Sequence, residues 1–519
     1  MNIRITIVGV VSITLLAMNS FAGDWPAWGR DASRNFYSPA KGIVNEFTPG
    51  DYKRGTEEID MSTTENVLWA VKLGSQAYGN PTVANGRVFI GTNNESLRIP
   101  KFQGDYSTVY CLDEKSGEFL WQLSVPKLGA GKVSDWEYLG ICSSPSVDGD
   151  RVYVVSSRCE ILCLDVYGME NGNQGYADEA KYMAGPGNPP VKVGEKDADI
   201  IWKFDMRSEL GVFPHNVTSS SVLITKDKIF ATTSNGQDWS HKNIPAPLAP
   251  CLIALDKKTG KLVGEEVSGI SERIMHCNWS SPGLAIIDGR EQVVFGAGDG
   301  FTYGFDTTPV KSNEDDFMVL KELWKADCIP HGYRFKDGKP IKYMVPEGPS
   351  EIIATPVFYK GKVYVGLGQD PEHGEGNGNL VCIDVSKTGD ITQTGIIWSF
   401  KGLNRTISTV SIDPETDLLF IADYSGFVYC VDANTGEEYW QYDTKAHIWG
   451  STLVVDGKVI IGDEDGDLVM LPAKKDFDPK KDEPIFETFM PSPIYSTPVV
   501  ANGVLYVATQ THLYAVKKK

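Results

Sequence analysis

The 519-residue sequence predicts an all-β fold: eight four-stranded antiparallel blades closed into a ring, a β-propeller. Three observations predict it. One hairpin phrase recurs along the chain. A fixed pair of further strands follows each copy. The two ends of the chain carry complementary fragments of a single unit.

The hairpin phrase is a small residue, a proline, two or three apolar residues, a Gly or Asp turn, and an alternating apolar strand. NPTVANGRVFIGT from Asn80, SPSVDGDRVYVVS from Ser144 and TPVFYKGKVYVGL from Thr355 show it, as do STLVVDGKVIIGD from Ser451 and STPVVANGVLYVA from Ser496. Period-2 alternation around turn residues reads as two strands joined tightly. A third strand ends in an apolar residue and Asp, as in VYCLD, ILCLD and LVCID. A turn such as EKSG or ANTG leads to a fourth strand, in which Trp69, Trp121, Trp202, Trp324, Trp398 and Trp440 hold one place and Gly264 and Phe486 replace Trp. Anchoring each unit on its opening proline-like position gives Pro81, Pro145, Ser221, Pro282, Pro356, Val410, Leu453 and Pro498. The last unit stops after its third strand at Val516, and VLWAVKL from Val67 is an orphan fourth strand. That strand completes the last blade, so no sheet edge stays open.

Residues 1–22 read as a signal peptide: Arg4, an apolar Ile5–Leu16 run, then Ser20-Phe21-Ala22 before a cleavage point. Residues 23–66 form an N-terminal extension and 67–519 the propeller. The apolar run is short for a membrane span, and no other long one follows. A periplasmic or secreted chain without a membrane span is expected. A net charge of −19 and no basic stripe exclude a nucleic-acid backbone as ligand.

DEKSGEFLW at Asp113 and DANTGEEYW at Asp432 match D-x-x-(S/T)-G-x-x-x-W, and DKKTGKLVG at Asp256 lacks only the Trp. On these segments the chain resembles the PQQ-like (quinoprotein alcohol dehydrogenase-like) repeat proteins. GQDPEHGEGNGNLVCID and IMHCNWSSP further resemble an exported group of them. The resemblance covers the chain from Val67 onward and implies that each Trp docks between adjacent blades.

In such a fold, residues just before each first strand share a face with the loops joining second to third strands. Loops 93–107, 235–250 and 369–379 are long, so ligands are expected at this mouth. Counting six residues back from each anchor gives Ser75, Leu139, His215, His276, Ser350, Asn404, His447 and Ser492. The candidate ligand-binding residues are His215, Asn216, His276, Asn278, Trp279, Glu351, Arg405, His447 and Trp449. The trio of histidines is not expected to share one metal, because blade 7 lies across the channel from blades 3 and 4. Asp370, Glu372, His373 and Glu375 form a candidate metal loop for Ca²⁺ or a transition ion, set against a solvated glycine-rich loop. GDEDGDL from Gly462 lacks the calcium-loop order and reads as a turn.

Cys111, Cys163, Cys382 and Cys430 lie two residues before the third-strand Asp, where Ala254 and Gly304 stand in other blades. A slot for Cys, Ala or Gly is a small packing site, so free thiols are expected there. Cys142–Cys159 and Cys251–Cys277 are candidate bridges.

The resemblance brings two cofactors into view, PQQ and Ca²⁺. Its dehydrogenases hold the quinone against two adjacent, disulfide-linked cysteines. No Cys-Cys pair and no C-x-x-C-H haem site occurs here. Two readings result. One is a non-catalytic exported scaffold binding a protein, glycan or small molecule at the histidine-bearing mouth. The other is a divergent quinone- or metal-dependent oxidoreductase. A third, envelope assembly, rests on resemblance to the propeller lipoprotein of outer-membrane assembly, and no lipid-bearing Cys follows Ala22.

Overall fold

The computed structural model describes residues 23–518, apart from 313–316, 344, 373 and 375. Eight sheets, each built on four antiparallel strands and three of them extended by a parallel neighbour, follow one another as blades 1 to 8. Blade 1 spans Thr82–Ala84, Arg87–Asn93, Tyr106–Asp113 and Phe119–Pro126 from the channel outward. Blade 8 takes Val67–Lys72 as its outer strand, paired with His512–Val516, so the ring closes as the termini predict.

The hydrophobic clusters lie between blades. Phe89 and Trp121 of blade 1, for example, pack with Val152 and Leu162 of blade 2. Each blade alone leaves one face exposed, and its neighbour buries it. The recurrent tryptophan sits opposite the small third-strand slot: Cys111 faces Trp121, Cys163 faces Trp202, Gly304 faces Trp324, and Ala515 faces Trp69. Where Phe486 replaces Trp, the slot holds the larger Met470. Where Gly264 replaces it, Pro309 and Leu320 fill the space.

Most of these indoles also latch the next blade. Trp69 Nε1 donates to Glu114 O, Trp202 to Lys257 O and Trp398 to Ala433 O, each across a blade boundary. The turn glycine beneath the ring has positive φ, and a Cβ on Gly117, Gly260 or Gly436 would meet the indole at 2.7, 2.4 and 2.7 Å. Trp324 departs from this pattern and donates to Gln292 Oε1 of its own blade at 2.7 Å.

A ring of side-chain acceptors fixes the blades around the axis. The amides of Asn80, Ser144 and Ser221 donate to the hydroxyls of Ser144, Ser221 and Ser281. Those of Thr355, Thr409 and Ser451 donate to Thr409, Ser451 and Thr497. Thr497 N donates to Asn80 Oδ1 at 2.8 Å, which joins the last blade to the first.

This ring corrects two sequence anchors. Leu223 pairs with Phe230, and Leu453 with Ile460, as Thr82 pairs with Phe89. The position equivalent to Pro81 is therefore Val222 in blade 3 and Thr452 in blade 7, not Ser221 and Leu453. Neither unit has the proline that marks the place elsewhere. His215, His276 and His447 are thus seven, six and five residues before their anchors, on one face but not in one register.

The N-terminal extension seals the opposite face. Trp25 exchanges backbone hydrogen bonds with Val83 of blade 1, and Pro26 O accepts from Val147 of blade 2. Ala32 O, Ser33 O and Phe36 O accept from Leu284, Phe358 and Val454 of blades 4, 5 and 7. Asn35 pairs through its side chain with Ile412 of blade 6. Arg34, fully buried, donates to the carbonyls of Pro282, Trp28 and Ser221. Burial pushes its guanidinium down to about 10.

All nine cysteines are reduced, and eight of them are buried. The two candidate bridges do not form. Cys159 Sγ contacts Thr233 O, Cys251 Sγ contacts Ser271 Oγ, and Cys277 Sγ donates to Ser234 O. Among the described residues, no helix is long and apolar enough to cross a membrane.

Candidate functional site

With one end sealed, the channel becomes a blind cavity of about 470 Å³ that opens on the face bearing the histidines. That volume falls in the range of small-molecule sites. Trp28 of the N-terminal extension and the hydroxyl ring line the cavity. Further aromatic rings come from Tyr78, Trp136, Tyr138, Trp279, Trp449 and Tyr495. Tyr78 and Tyr495 stack at 5.0 Å, and Trp449 meets Tyr495 edge-on at 5.6 Å. Trp449 Nε1 donates to Glu464 Oε2 at 3.0 Å, and Trp279 Nε1 donates to Val217 O at 3.1 Å, so both indoles are held in place.

The charged groups of the lining are Glu137, Asp370 and Glu372. Among the described residues the lining has no lysine or arginine. Burial first pushes the Tyr78 and Tyr495 phenols up, followed by Cys142 and Tyr495 at Tyr78 and by Glu464 at Tyr495.

Most of the predicted residues fall into three groups. Asn216, Trp279, Trp449, Asp370 and Glu372 line the cavity. His215, His276 and Glu351 lie buried beside it: His276 Nε2 is 2.8 Å from His215 Nε2, and His276 Nδ1 is 3.9 Å from Glu351 Oε1. Tyr343 joins this group, its hydroxyl 2.8 Å from Glu351 Oε1 and 3.3 Å from His276 Nδ1. Burial, and then Asp370, raise the Glu351 carboxyl to about 8. On the far rim His447 stacks on Tyr424 at 4.3 Å, and the Arg405 guanidinium covers the same ring at 4.5 Å.

Asn278 has a structural place. It is buried, donates to Asn235 O and Cys251 Sγ, and accepts from Gly298 N. Asp370 Oδ1 caps the Glu372 amide within its own loop. His373 and Glu375 lie outside the described residues. In the GDEDGDL segment, Asp463 Oδ1 caps the amides of Asp465, Gly466 and Asp467, as a turn does.

One residue escaped the sequence reading. His241, in the 235–250 loop, reaches His215 and His276 with ring centroids 5.0 and 5.1 Å away. Its loop position follows no repeat register. The available signal was composition: His241 is one of only seven histidines and stands in a long loop of the mouth.

A family model described as outer membrane protein assembly factor BamB, of the PQQ-type repeats, matches residues 59–308 and 390–475. The chain belongs to this family. The stretch between the matched segments holds most of blade 5, which gives the BamB-type propeller its Glu351, Asp370 and Glu372. The structure of BamB from Moraxella catarrhalis matches with a TM-score of 0.51 at 13% identity, covering 87% of this chain and 97% of that one. The quinohemoprotein alcohol dehydrogenase ADHIIG from Pseudomonas putida HK5 matches with a TM-score of 0.54 at 12% identity, covering 97% and 82%. In sequence, quinohemoprotein alcohol dehydrogenase ADH-IIG of Pseudomonas putida is 23% identical over 280 residues, 51% of this chain. The match spans only 31% of that relative's length. At these identities the structural likeness shows the shared fold.

Proposed function

We propose that this BamB-family propeller is an exported, non-catalytic binding protein whose blind cavity takes a small organic cation. The observation that carries this reading is the lining itself, aromatic rings and carboxylates with no described basic side chain. Aromatic faces attract cations by about 0.5–2 kcal/mol each, more when water is excluded. The sealed end keeps water out from below, and the facing carboxylates supply the countercharge.

The lining does not suit PQQ. That quinone carries three carboxylates and needs basic partners, whereas Glu137, Asp370 and Glu372 would repel it. Cys142 is the lining thiol, and it has no disulfide. These residues suit a positively charged guest better than the quinone.

The export reading rests on the apolar Ile5–Leu16 run followed by Ser20-Phe21-Ala22. N-terminal sequencing of the exported chain should begin at Gly23. The binding reading is tested by purifying the protein with PQQ and Ca²⁺ in one arm and choline in the other. Choline is expected to raise the melting temperature, and the quinone to wash off. Near-stoichiometric retention of PQQ, with no effect of choline, would favour the oxidoreductase reading.

A further inference from the structure

We propose that His215, His241 and His276 form a binding site for a divalent transition-metal ion in the wall of the mouth. Their ligating nitrogens lie within 4.8 Å of one another. The rings are mutually steep, at 73°, 65° and 71°, so none stacks on another. Two blades and a loop supply them. His215 precedes the first strand of blade 3, His276 precedes that of blade 4, and His241 comes from the loop between the second and third strands of blade 3.

Hydrogen bonding fixes which nitrogens face the centre. The carbonyl of Gln237 can only accept, so His215 Nδ1, at 2.6 Å, carries the proton. Its Nε2 then points a lone pair at His276 Nε2, 2.8 Å away. In the metal-free form His276 Nε2–H donates to that lone pair, and a bound metal ion takes the place of this proton. Tetrahedral Zn²⁺ at about 2.0–2.1 Å from each nitrogen holds ligand pairs about 3.3 Å apart. The His215–His276 pair must therefore open by about half an ångström, and the wider pairs, up to 4.8 Å, must close toward the same spacing. The outer nitrogens already have the partners that orient metal-bound imidazoles: Gln237 O for His215, and Tyr343 with Glu351 behind it for His276.

The backbone around the group is built to hold it. His215 N donates to Ser234 O, and Gln237 N donates to His276 O. Gly236 passes so close that a Cβ there would meet His215 Cβ at 2.7 Å and His276 O at 2.8 Å. His241 has φ +53°, a left-handed conformation unusual for a histidine.

The ligand chemistry selects the ion. Three neutral imidazoles suit Zn²⁺, Cu²⁺, Ni²⁺ or Co²⁺, and not Ca²⁺ or Mg²⁺. Cys277 contributes no thiolate, since its Sγ donates to Ser234 O at 3.2 Å. Among the described residues the ligand set is these three imidazoles. Trp279 packs on His276 at 5.0 Å and on His215 at 6.1 Å and also lines the cavity. The metal would therefore sit one indole away from the cavity. The site stands on its own geometry, independent of the organic-cation reading.

The test uses tag-free, chelator-treated full-length mature protein titrated with Zn²⁺ alone, followed by calorimetry and metal analysis. One Zn²⁺ per chain is expected. His241→Gln, at a half-buried loop position, is expected to fold and to weaken binding by about tenfold or more. His447→Gln, across the same mouth, is expected to bind as the wild type does. Co²⁺ in place of Zn²⁺ should give visible d–d bands that His241→Gln abolishes. Substoichiometric uptake by the wild type, or unchanged uptake and spectrum in His241→Gln, would overturn the proposal.

Discussion

Arg34 Nε donates to the carbonyl of Pro282 at 2.8 Å, joining the N-terminal extension to a residue 248 positions away. The same guanidinium reaches the carbonyls of Trp28 and Ser221. A buried cation at the axis thus binds extension, blade 3 and blade 4 into one floor. Arg34→Met would leave three buried carbonyls without their donor. It is expected to lower stability by about 1–3 kcal/mol and to loosen residues 23–38. Urea midpoints and amide exchange of the extension measure both effects. An unchanged midpoint with full protection would show that the floor holds without Arg34.

The ring closes where Trp69 of the N-terminal strand covers Gly117 of blade 1. Gly117 has φ +71°, and a Cβ would meet the indole at 2.7 Å. Gly117→Ala must strain the turn and displace the ring together. A loss of about 1–3 kcal/mol is expected by chemical denaturation. The same change at Gly86, whose Cβ would meet nothing within 4 Å, shares the positive φ without the clash and is expected to cost less.

Much of this was legible beforehand, because the propeller repeats what it needs. The Cys, Ala or Gly slot marks the residue opposite each Trp, and VLWAVKL carries the fourth-strand pattern that Val516 leaves wanting. What escaped detection lacks a repeat. Proline marks the first strand in most blades, but the physical register is the ring of hydroxyls, so Ser221 and Ser451 could be placed only by their hydrogen bonds. Residues 23–38 touch the blades through scattered backbone and side-chain hydrogen bonds with no periodic pattern. His241 is brought to the other histidines by loop path alone.

Glu266 ties stability to pH. Burial outweighs the amides of Cys251 and Ser268 that its oxygens accept, and raises the carboxyl from 4.5 to about 7. Between those values the folded chain binds a proton that the unfolded chain releases. Stability therefore falls as pH rises through this window, the loss persists above it, and Glu266 contributes no pH slope on either side. Glu266→Gln should remove that part of the slope while costing about 1–3 kcal/mol, since its amide NH₂ faces a backbone donor. Urea midpoints across the window, compared between the two proteins, measure the difference.

The thiols should be free and unreactive. Burial raises Cys142 and Cys328 to about 12. A thiol reagent at neutral pH is expected to react slowly with the native protein, first at Cys142, which lines the cavity and is the least buried cysteine. All nine should react in denaturant without a reducing agent. Seven in denaturant would indicate a disulfide.

The central claim is that the cavity reads positive charge. Choline and 3,3-dimethylbutanol share a shape and differ in that charge. Their binding to the mature protein, followed by calorimetry alongside Glu372→Gln, tests the claim most directly. Choline is expected to bind saturably and more weakly in Glu372→Gln, with the alcohol at least about tenfold weaker than choline in the wild type. Equal affinity for the two, or binding of neither, would contradict it.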